Sequence, residues 1–166
     1  EMKKLLSATD PFRALLWMRT AGVLSVVLPE TEKWGIDSTP DLVAAEGRFG
    51  WAPDALLRLS AIIPTDIERI EAMATRLRLS TAERATLTVY AACPPIGDET
   101  SGAQLDQLLY RHGNGGAIGR LKMALAKASA GAADDAETLA RIGRLRTLLD
   151  RAQSWIRPNM PVRGAD

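Results

Sequence analysis

The sequence predicts an all-α fold, built as a stack of short helices and helical hairpins with about eight helices and no sheet. Two observations predict it. Apolar residues recur at intervals of three and four along most of the chain, as they do on the buried face of a helix. The periodic segments begin near Ser, Asp or Pro and end near Gly or Pro, which are typical of helix starts and stops. No segment shows the strict alternation that indicates a strand.

The first two thirds of the chain predict short helices. Each is about ten residues long and joined to the next by a short loop, which favours stacked hairpins over a four-helix bundle. Ser80 and Glu83 stand at the spacing of a capping box, in which each side chain bonds the other's backbone N–H. The segments that carry helical spacing lie near 10–22, 23–28, 38–47, 53–63, 65–77 and 80–93.

The last third predicts longer helices. Gly113 is expected to end one helix, and Gly115 and Gly116 are expected at the opening of the next. The longest predicted helix follows and ends before Pro158. Its buried face is predicted to contain Leu139, Ile142, Leu145, Leu149, Ala152 and Ile156.

Charge is unevenly distributed along the chain, although the net charge is only +1. Residues 1–110 contain 11 Lys and Arg against 15 Asp and Glu, whereas residues 111–163 contain 10 against 4. An acidic helical part (1–94) and a basic helical part (101–157) are therefore a possible subdivision. A basic face, if present, is expected in the second part. No apolar run approaches the roughly 20 residues needed to cross a bilayer, so no membrane partner is expected.

The sequence offers no set of residues typical of an active site. Cys93 is the only cysteine and His112 the only histidine, which all but excludes a zinc cluster. A small buried residue is the favoured interpretation of Cys93, and a capping or core residue that of His112. The acidic pairs Asp98-Glu99 and Asp134-Asp135 lie near predicted helix starts, where negative charge offsets the helix dipole. We expect neither catalytic nor metal-binding residues in this chain.

The glycine-rich stretch "HGNGGAIGRLK" allows two interpretations. Helix punctuation by Gly113, Gly115 and Gly116 is the simpler one, since the stretch lacks the preceding strand and the ending of a phosphate loop. Alternatively, the backbone N–H groups of the new helix bind a phosphate, with Arg120 and Lys122 as supporting cations.

Arginines in the last helix indicate a polyanion-binding face. At about 100° per residue, Arg141, Arg144 and Arg151 share an arc of roughly 80° beside the apolar face. We expect the three arginines to share this arc without acidic company. Arg146 points elsewhere and has Asp150 four residues on, which favours a local ion pair.

Several stretches resemble the C-terminal helical region of bacterial CCA-adding tRNA nucleotidyltransferases and the related poly(A) polymerases. They are "EMKKLLSATDPFRALLWMRTAGVLSVVLPE", "LLRLSAIIP", "LRLSTAER" and "PNMPVRGAD", in this order. Residues 95–140 depart most from the family. "MPVRGAD" is similar to the turn that introduces the family's final helices, so we expect the protein to continue beyond Asp166 and to begin upstream of Glu1.

The resemblance implies a tRNA-binding helical domain (1–166) of a larger enzyme, and the single cysteine of the chain fits a cytoplasmic setting. In the family, a separate catalytic head domain binds magnesium and the nucleoside triphosphate and transfers nucleotides to the RNA 3′ end. The sequence shows no head motif, so we expect no cofactor and no catalysis in this chain, and the head domain and tRNA as partners. Residues expected to contact tRNA phosphates are Arg111, Arg120, Lys122, Arg141, Arg144 and Arg151.

A second hypothesis is a helical scaffold that docks another protein or its own head domain. The basic residues would then be incidental. Trp17, Trp34, Trp51 and Trp155 would be candidate exposed anchors, although tryptophan in a small helical domain is more often part of the core. An independent enzyme is the least favoured hypothesis, because the sequence shows no set of residues that could form a catalytic site together.

Overall fold

A computed structural model describes residues 1–32, 35–130 and 135–158. These residues form nine α-helices and one 3-10 turn, Pro29–Glu32, and they contain no β-strand, which confirms the all-α fold. The helices are α1 (Met2–Leu6), α2 (Phe12–Thr20), α3 (Val23–Val27), α4 (Thr39–Phe49), α5 (Ala55–Ile62), α6 (Ile67–Arg76), α7 (Thr81–Ala92), α8 (Gly102–Ser129) and α9 (Ala136–Ser154).

Five of these helices have an N-cap side chain that accepts a hydrogen bond from the backbone of the first turn. The capping box of α7 is confirmed: Ser80 Oγ accepts from Glu83 N at 3.3 Å, and Glu83 Oε2 accepts from Ser80 N at 2.8 Å. Each cap satisfies a backbone N–H that has no partner within its helix. The capping residues are Asp54, Asp66, Ser80, Ser101 and Asp135.

Two large hydrophobic clusters form the core. One joins α1, α2, α3, α5, α6 and α7, and the other joins α8 and α9 with Cys93 and Ile96. Between them, Leu42, Ala45 and Leu57 meet Ala126 in a small third cluster. Helix α8 contacts α4, α7 and α9. It is therefore the element that links the two halves of the described chain.

Helix α8 changes direction at Gly113, as the sequence predicts. Gly113 has φ +74° and ψ 169°, a conformation that costs glycine little and strains other residues. Directly after the break, the Asn114 side-chain amide donates to Ala152 O at 3.1 Å and to Trp155 O at 2.9 Å. Asn114 thus satisfies carbonyls at the end of α9 and fixes where α9 ends against α8.

Two further glycines let α8 approach α7 closely. A Cβ on Gly119 would lie 2.8 Å from the ring of Tyr90, and one on Gly116 would lie 3.0 Å from Cys93 Cβ and 3.1 Å from Val89 O. The distance at Gly119 is too short for a Cβ, and the distances at Gly116 would force its neighbours to shift by a few tenths of an ångström. The second half of the glycine-rich stretch therefore serves helix packing.

The predicted buried face of α9 is right in its centre and wrong at its ends. Ile142, Leu145, Leu149 and Ala152 are buried, but Leu139 is 49% exposed and Ile156 is 87% exposed. Leu148, which is not part of the predicted face, is also buried, and the centre of the observed face lies about 120° from Leu139. Ile156 follows Trp155, whose backbone is extended, so helical spacing no longer applies to it.

A buried ion pair ties α1, α4 and α5 together. Arg58 is 1% exposed, and its Nε and Nη2 donate to the two carboxylate oxygens of Glu46, which is itself buried. Its Nη1 donates to Leu6 O and to Ala8 O, each at 2.6 Å. One side chain on α5 therefore satisfies both the carboxylate of α4 and the carbonyls at the end of α1.

Three features of the sequence analysis lie outside the described residues. They are Trp34, Asp134 and the turn in "MPVRGAD". Among the described helices, none combines the length and the apolar character that a membrane span needs.

Candidate nucleic-acid interface

The arginines on the predicted arc of α9 are paired with carboxylates from other elements. Arg144 donates from Nε and Nη2 to Asp98 Oδ2 at 3.0 and 2.6 Å, and Arg141 Nε lies 3.3 Å from Asp98 Oδ1. Arg151 donates from Nε and Nη2 to the two oxygens of Asp106 at 2.9 and 2.6 Å. The prediction that this arc lacks acidic company is therefore wrong.

The error has a physical source in the tertiary structure. Asp98 lies in the loop before α8 and Asp106 lies on α8, so neither is close to the arginines along the chain. Packing of α8 against α9 brings them together. Hydrogen bonds and positive charge from Arg144 lower the pKa of Asp98, and those from Arg151 lower the pKa of Asp106. Both carboxylates are thus held in the ionised form that pairs with arginine. Asp98 lies three residues before the N-cap of α8, Ser101, near a helix start as predicted.

Arg120 acts as a cap for α7. Its Nε donates to Cys93 O at 2.6 Å and its Nη2 donates to Ala91 O at 3.2 Å. These carbonyls end α7 and lack partners within the helix. Cys93 is fully buried, and desolvation raises the pKa of its thiol, which agrees with the small buried residue that the sequence predicts.

The alternative interpretation of the glycine-rich stretch loses its supporting cations. Arg120 is directed at the end of α7, and the Lys122 ammonium lies 5.1 Å from the centre of the Trp51 ring. Neither side chain is engaged at the opening of the helix after Gly113. The glycines are explained by the break in α8 at Gly113 and by the close packing of Gly116 and Gly119 against α7.

Arg111 lies on the first half of α8 and is exposed. It lines a polar groove of about 310 Å³ with Gln104 and Gln107, and with Glu99 from the preceding loop. The six predicted contact residues therefore do not form one surface. Three are paired on α9, Arg120 is turned inward, and Arg111 and Lys122 lie on different halves of α8.

A different set of cations converges on a pair of aromatic rings. We call it the basic aromatic patch, and it consists of Arg48, Phe49, Trp51, Lys122 and Arg146. The Phe49 and Trp51 rings stack with their centres 5.0 Å apart. Lys122 lies over Trp51, while the guanidinium carbons of Arg48 and Arg146 each lie 6.0 Å from the centre of the Phe49 ring.

The end of α4 builds this patch. Gly50 has φ +68° and ends the helix, and Trp51 N then donates back to Glu46 O at 2.9 Å. This turn brings Trp51 next to Phe49 on the same side of the helix end. Both rings are half-buried and pack against the cluster of α8 and α9. Lys122 on α8 and Arg146 on α9 reach them from that side.

The patch carries a net positive charge. Among the residues that the structure describes, Arg48, Lys122 and Arg146 pair with no carboxylate, whereas the three arginines of the predicted arc all do. The local pair expected between Arg146 and Asp150 is not formed. Contact with a ring face is compatible with anion binding, because a guanidinium or ammonium group over a ring keeps the N–H donors that are directed away from the ring.

Of the three cations in the patch, the sequence predicts a phosphate contact only for Lys122. Arg146 was set aside because of Asp150, and Arg48 lies in the acidic part of the chain. The signal that could have indicated Arg48 is "GRFGWAP", in which an arginine and two aromatics surround a glycine. Nothing in the sequence showed that 122 and 146 would meet this segment.

Neither the search for metal-binding clusters among the described residues nor the comparison with known proteins identifies a function. No group of three or more His, Cys, Asp or Glu side chains within the described ranges could hold a metal ion. No family model matches the chain, and comparisons with curated proteins and with solved structures return no match.

Proposed function

We propose that this chain is an RNA-holding helical domain whose basic aromatic patch contacts the phosphate backbone. The observation that carries the proposal is the convergence of Arg48, Lys122 and Arg146 without a carboxylate partner among the described residues. Cations that no internal acid neutralises are available to replace the counterions of a nucleic acid. Backbone contacts of this kind position an RNA without reading its sequence.

The rings of the patch favour phosphate contacts over base stacking. The face of Trp51 is covered by Lys122, and Phe49 is contacted by two arginines and by Trp51 itself. A base that stacked on either ring would have to displace these groups. The rings instead hold the three cations in place, which reduces the conformational entropy they lose when an anion binds.

The resemblance to CCA-adding enzymes supports tRNA as the RNA. A sequence-independent grip suits a protein that handles many tRNAs. Catalysis in such an enzyme belongs to a separate head domain, which supplies the magnesium and nucleoside triphosphate sites. We therefore propose that this chain positions tRNA for that domain in the cytoplasm, in CCA addition or polyadenylation.

Charge reversal in the patch tests the proposal. We expect Lys122→Glu combined with Arg146→Glu to weaken binding of a labelled tRNA transcript by about 10- to 100-fold at low salt, because two phosphate contacts become repulsive. Fluorescence anisotropy measures the affinity. Arg13→Glu combined with Arg69→Glu is the matched control, since both residues are exposed cations outside the patch. Equal losses in the two variants would contradict the assignment of the patch.

One observation favours the protein-docking alternative. Trp17 on α2 is 70% exposed and Val26 on α3 is 78% exposed, whereas Trp51 and Trp155 are half-buried against the core. A large exposed aromatic ring is typical of an interface anchor. This alternative predicts no tRNA binding by the chain at low salt, so the same titration distinguishes the two functions.

A further inference from the structure

The three arginines of the predicted arc are accessible although they are paired. Their side chains are 50%, 54% and 52% exposed at Arg141, Arg144 and Arg151. Asp98 is more enclosed, with 18% of its side chain exposed, and Asp106 is 37% exposed. Each guanidinium therefore presents an open edge to solvent while its other edge holds a carboxylate.

The carboxylates occupy positions that phosphate oxygens can take. Arg151 binds Asp106 through two parallel N–H···O contacts, and Arg144 uses the same two nitrogens toward Asp98. Arginine recognises phosphate with this same fork of donors. Exposed ion pairs of this type contribute little to stability, so their exchange for another anion costs little.

The arc lies beside the basic aromatic patch across a single helix. At about 100° per residue, Arg146 flanks one side of the buried face of α9, and Arg144 and Arg151 flank the other. An α-helix is only about 10–12 Å wide with its side chains. An RNA backbone that crosses the outer surface of α9 can therefore reach both flanks.

We propose that Arg141, Arg144 and Arg151 form a second RNA phosphate-binding surface, which Asp98 and Asp106 occupy until RNA displaces them. The inference rests on the proposed function, since it takes RNA as the ligand. The two carboxylates act as internal substitutes for phosphate. They hold the arginines in position in the RNA-free chain and set the affinity that a backbone must exceed.

Removal of the internal anions tests the inference. We expect Asp98→Asn combined with Asp106→Asn to bind the tRNA transcript about five- to tenfold tighter at low salt, the scale set by the loss of two competing surface pairs. Glu68→Gln combined with Glu71→Gln changes net charge equally at exposed sites on α6 and should leave affinity within twofold. An unchanged or weaker affinity in the first variant would overturn the inference.

Two further substitutions, Arg144→Ala and Arg151→Ala, are added to the Asp98→Asn, Asp106→Asn variant to test whether these arginines cause the gain in tRNA affinity. The gain should disappear, and its persistence would count against these arginines. In the unaltered chain, the Nε–H NMR signals of Arg144 and Arg151 should shift when tRNA is added. Unmoved signals at saturation would overturn the inference even if the Asn variant failed to fold.

The same titrations in the Lys122→Glu, Arg146→Glu background separate the two proposals. A gain on removal of Asp98 and Asp106 in that background supports the second surface independently of the patch. Tight wild-type binding without any gain overturns only the inference. If wild-type binding does not depend on the patch but removal of Asp98 and Asp106 still increases tRNA affinity, only the assignment of the patch is contradicted.

Discussion

Arg58→Met is expected to lower the free energy of unfolding by about 3–5 kcal/mol, because it leaves the Glu46 carboxylate buried without its cation. Arg58 is 1% exposed and binds Glu46 through two nitrogens. The substitution also leaves Leu6 O and Ala8 O without the donor that joins α1 to α5. Urea unfolding monitored by far-UV circular dichroism measures the loss.

Two further variants define what the buried pair contributes. Arg76→Met removes the partner of Glu30 at a site where the arginine is 39% exposed and the glutamate 11% exposed, and it should cost about 1–2 kcal/mol because water reaches the arginine side of the pair. Arg58→Met combined with Glu46→Met should cost less than Arg58→Met alone, since no unpaired charge remains. A loss no larger at Arg58 than at Arg76 would contradict the account of this ion pair.

Gly119→Ala is expected to destabilise the protein by about 1–3 kcal/mol through overpacking. The added methyl group would lie 2.8 Å from two ring carbons of Tyr90, so α7 and α8 would have to separate or the ring would have to move. This result runs against helix propensity, which favours alanine over glycine by about 0.8–1.0 kcal/mol. Thermal or urea unfolding measures the sign directly.

Gly143→Ala provides the matched control for this effect. Gly143 lies within α9, and a Cβ there would meet nothing within 4 Å. Only the propensity gain applies, and the variant should be more stable than the parent chain by up to about 1 kcal/mol. Destabilisation by both substitutions, or stabilisation by both, would show that close approach to Tyr90 does not decide the outcome.

The helices could be predicted because their signals are local. Ser80 and Glu83 lie three residues apart, and Gly113 needs only its own backbone conformation to break α8. Errors arose where tertiary packing decides. The orientation of α9 that buries Leu148 depends on α8, and this orientation leaves Leu139 exposed.

The candidate site could be predicted only in part, for the same reason. Arg144 and Arg151 were correctly placed on one flank of α9, but their acidic partners Asp98 and Asp106 stand more than 40 residues away in the sequence. Periodicity within a helix shows which charges share a face. It does not show which charges of other elements will neutralise them. The arc and the patch differ in this respect, because carboxylates of other elements pair with the arginines of the arc and not with the cations of the patch.

The salt dependence of tRNA binding shows whether the basic aromatic patch binds phosphate groups. Each phosphate contact contributes about −0.7 to −0.9 to the slope of log K against log salt concentration. We therefore expect the slope to become less negative by about 2–3 in the triple variant, because three contacts are lost. This variant combines Arg48→Ala, Lys122→Ala and Arg146→Ala. A slope equal to that of the unaltered chain would contradict phosphate binding by the basic aromatic patch.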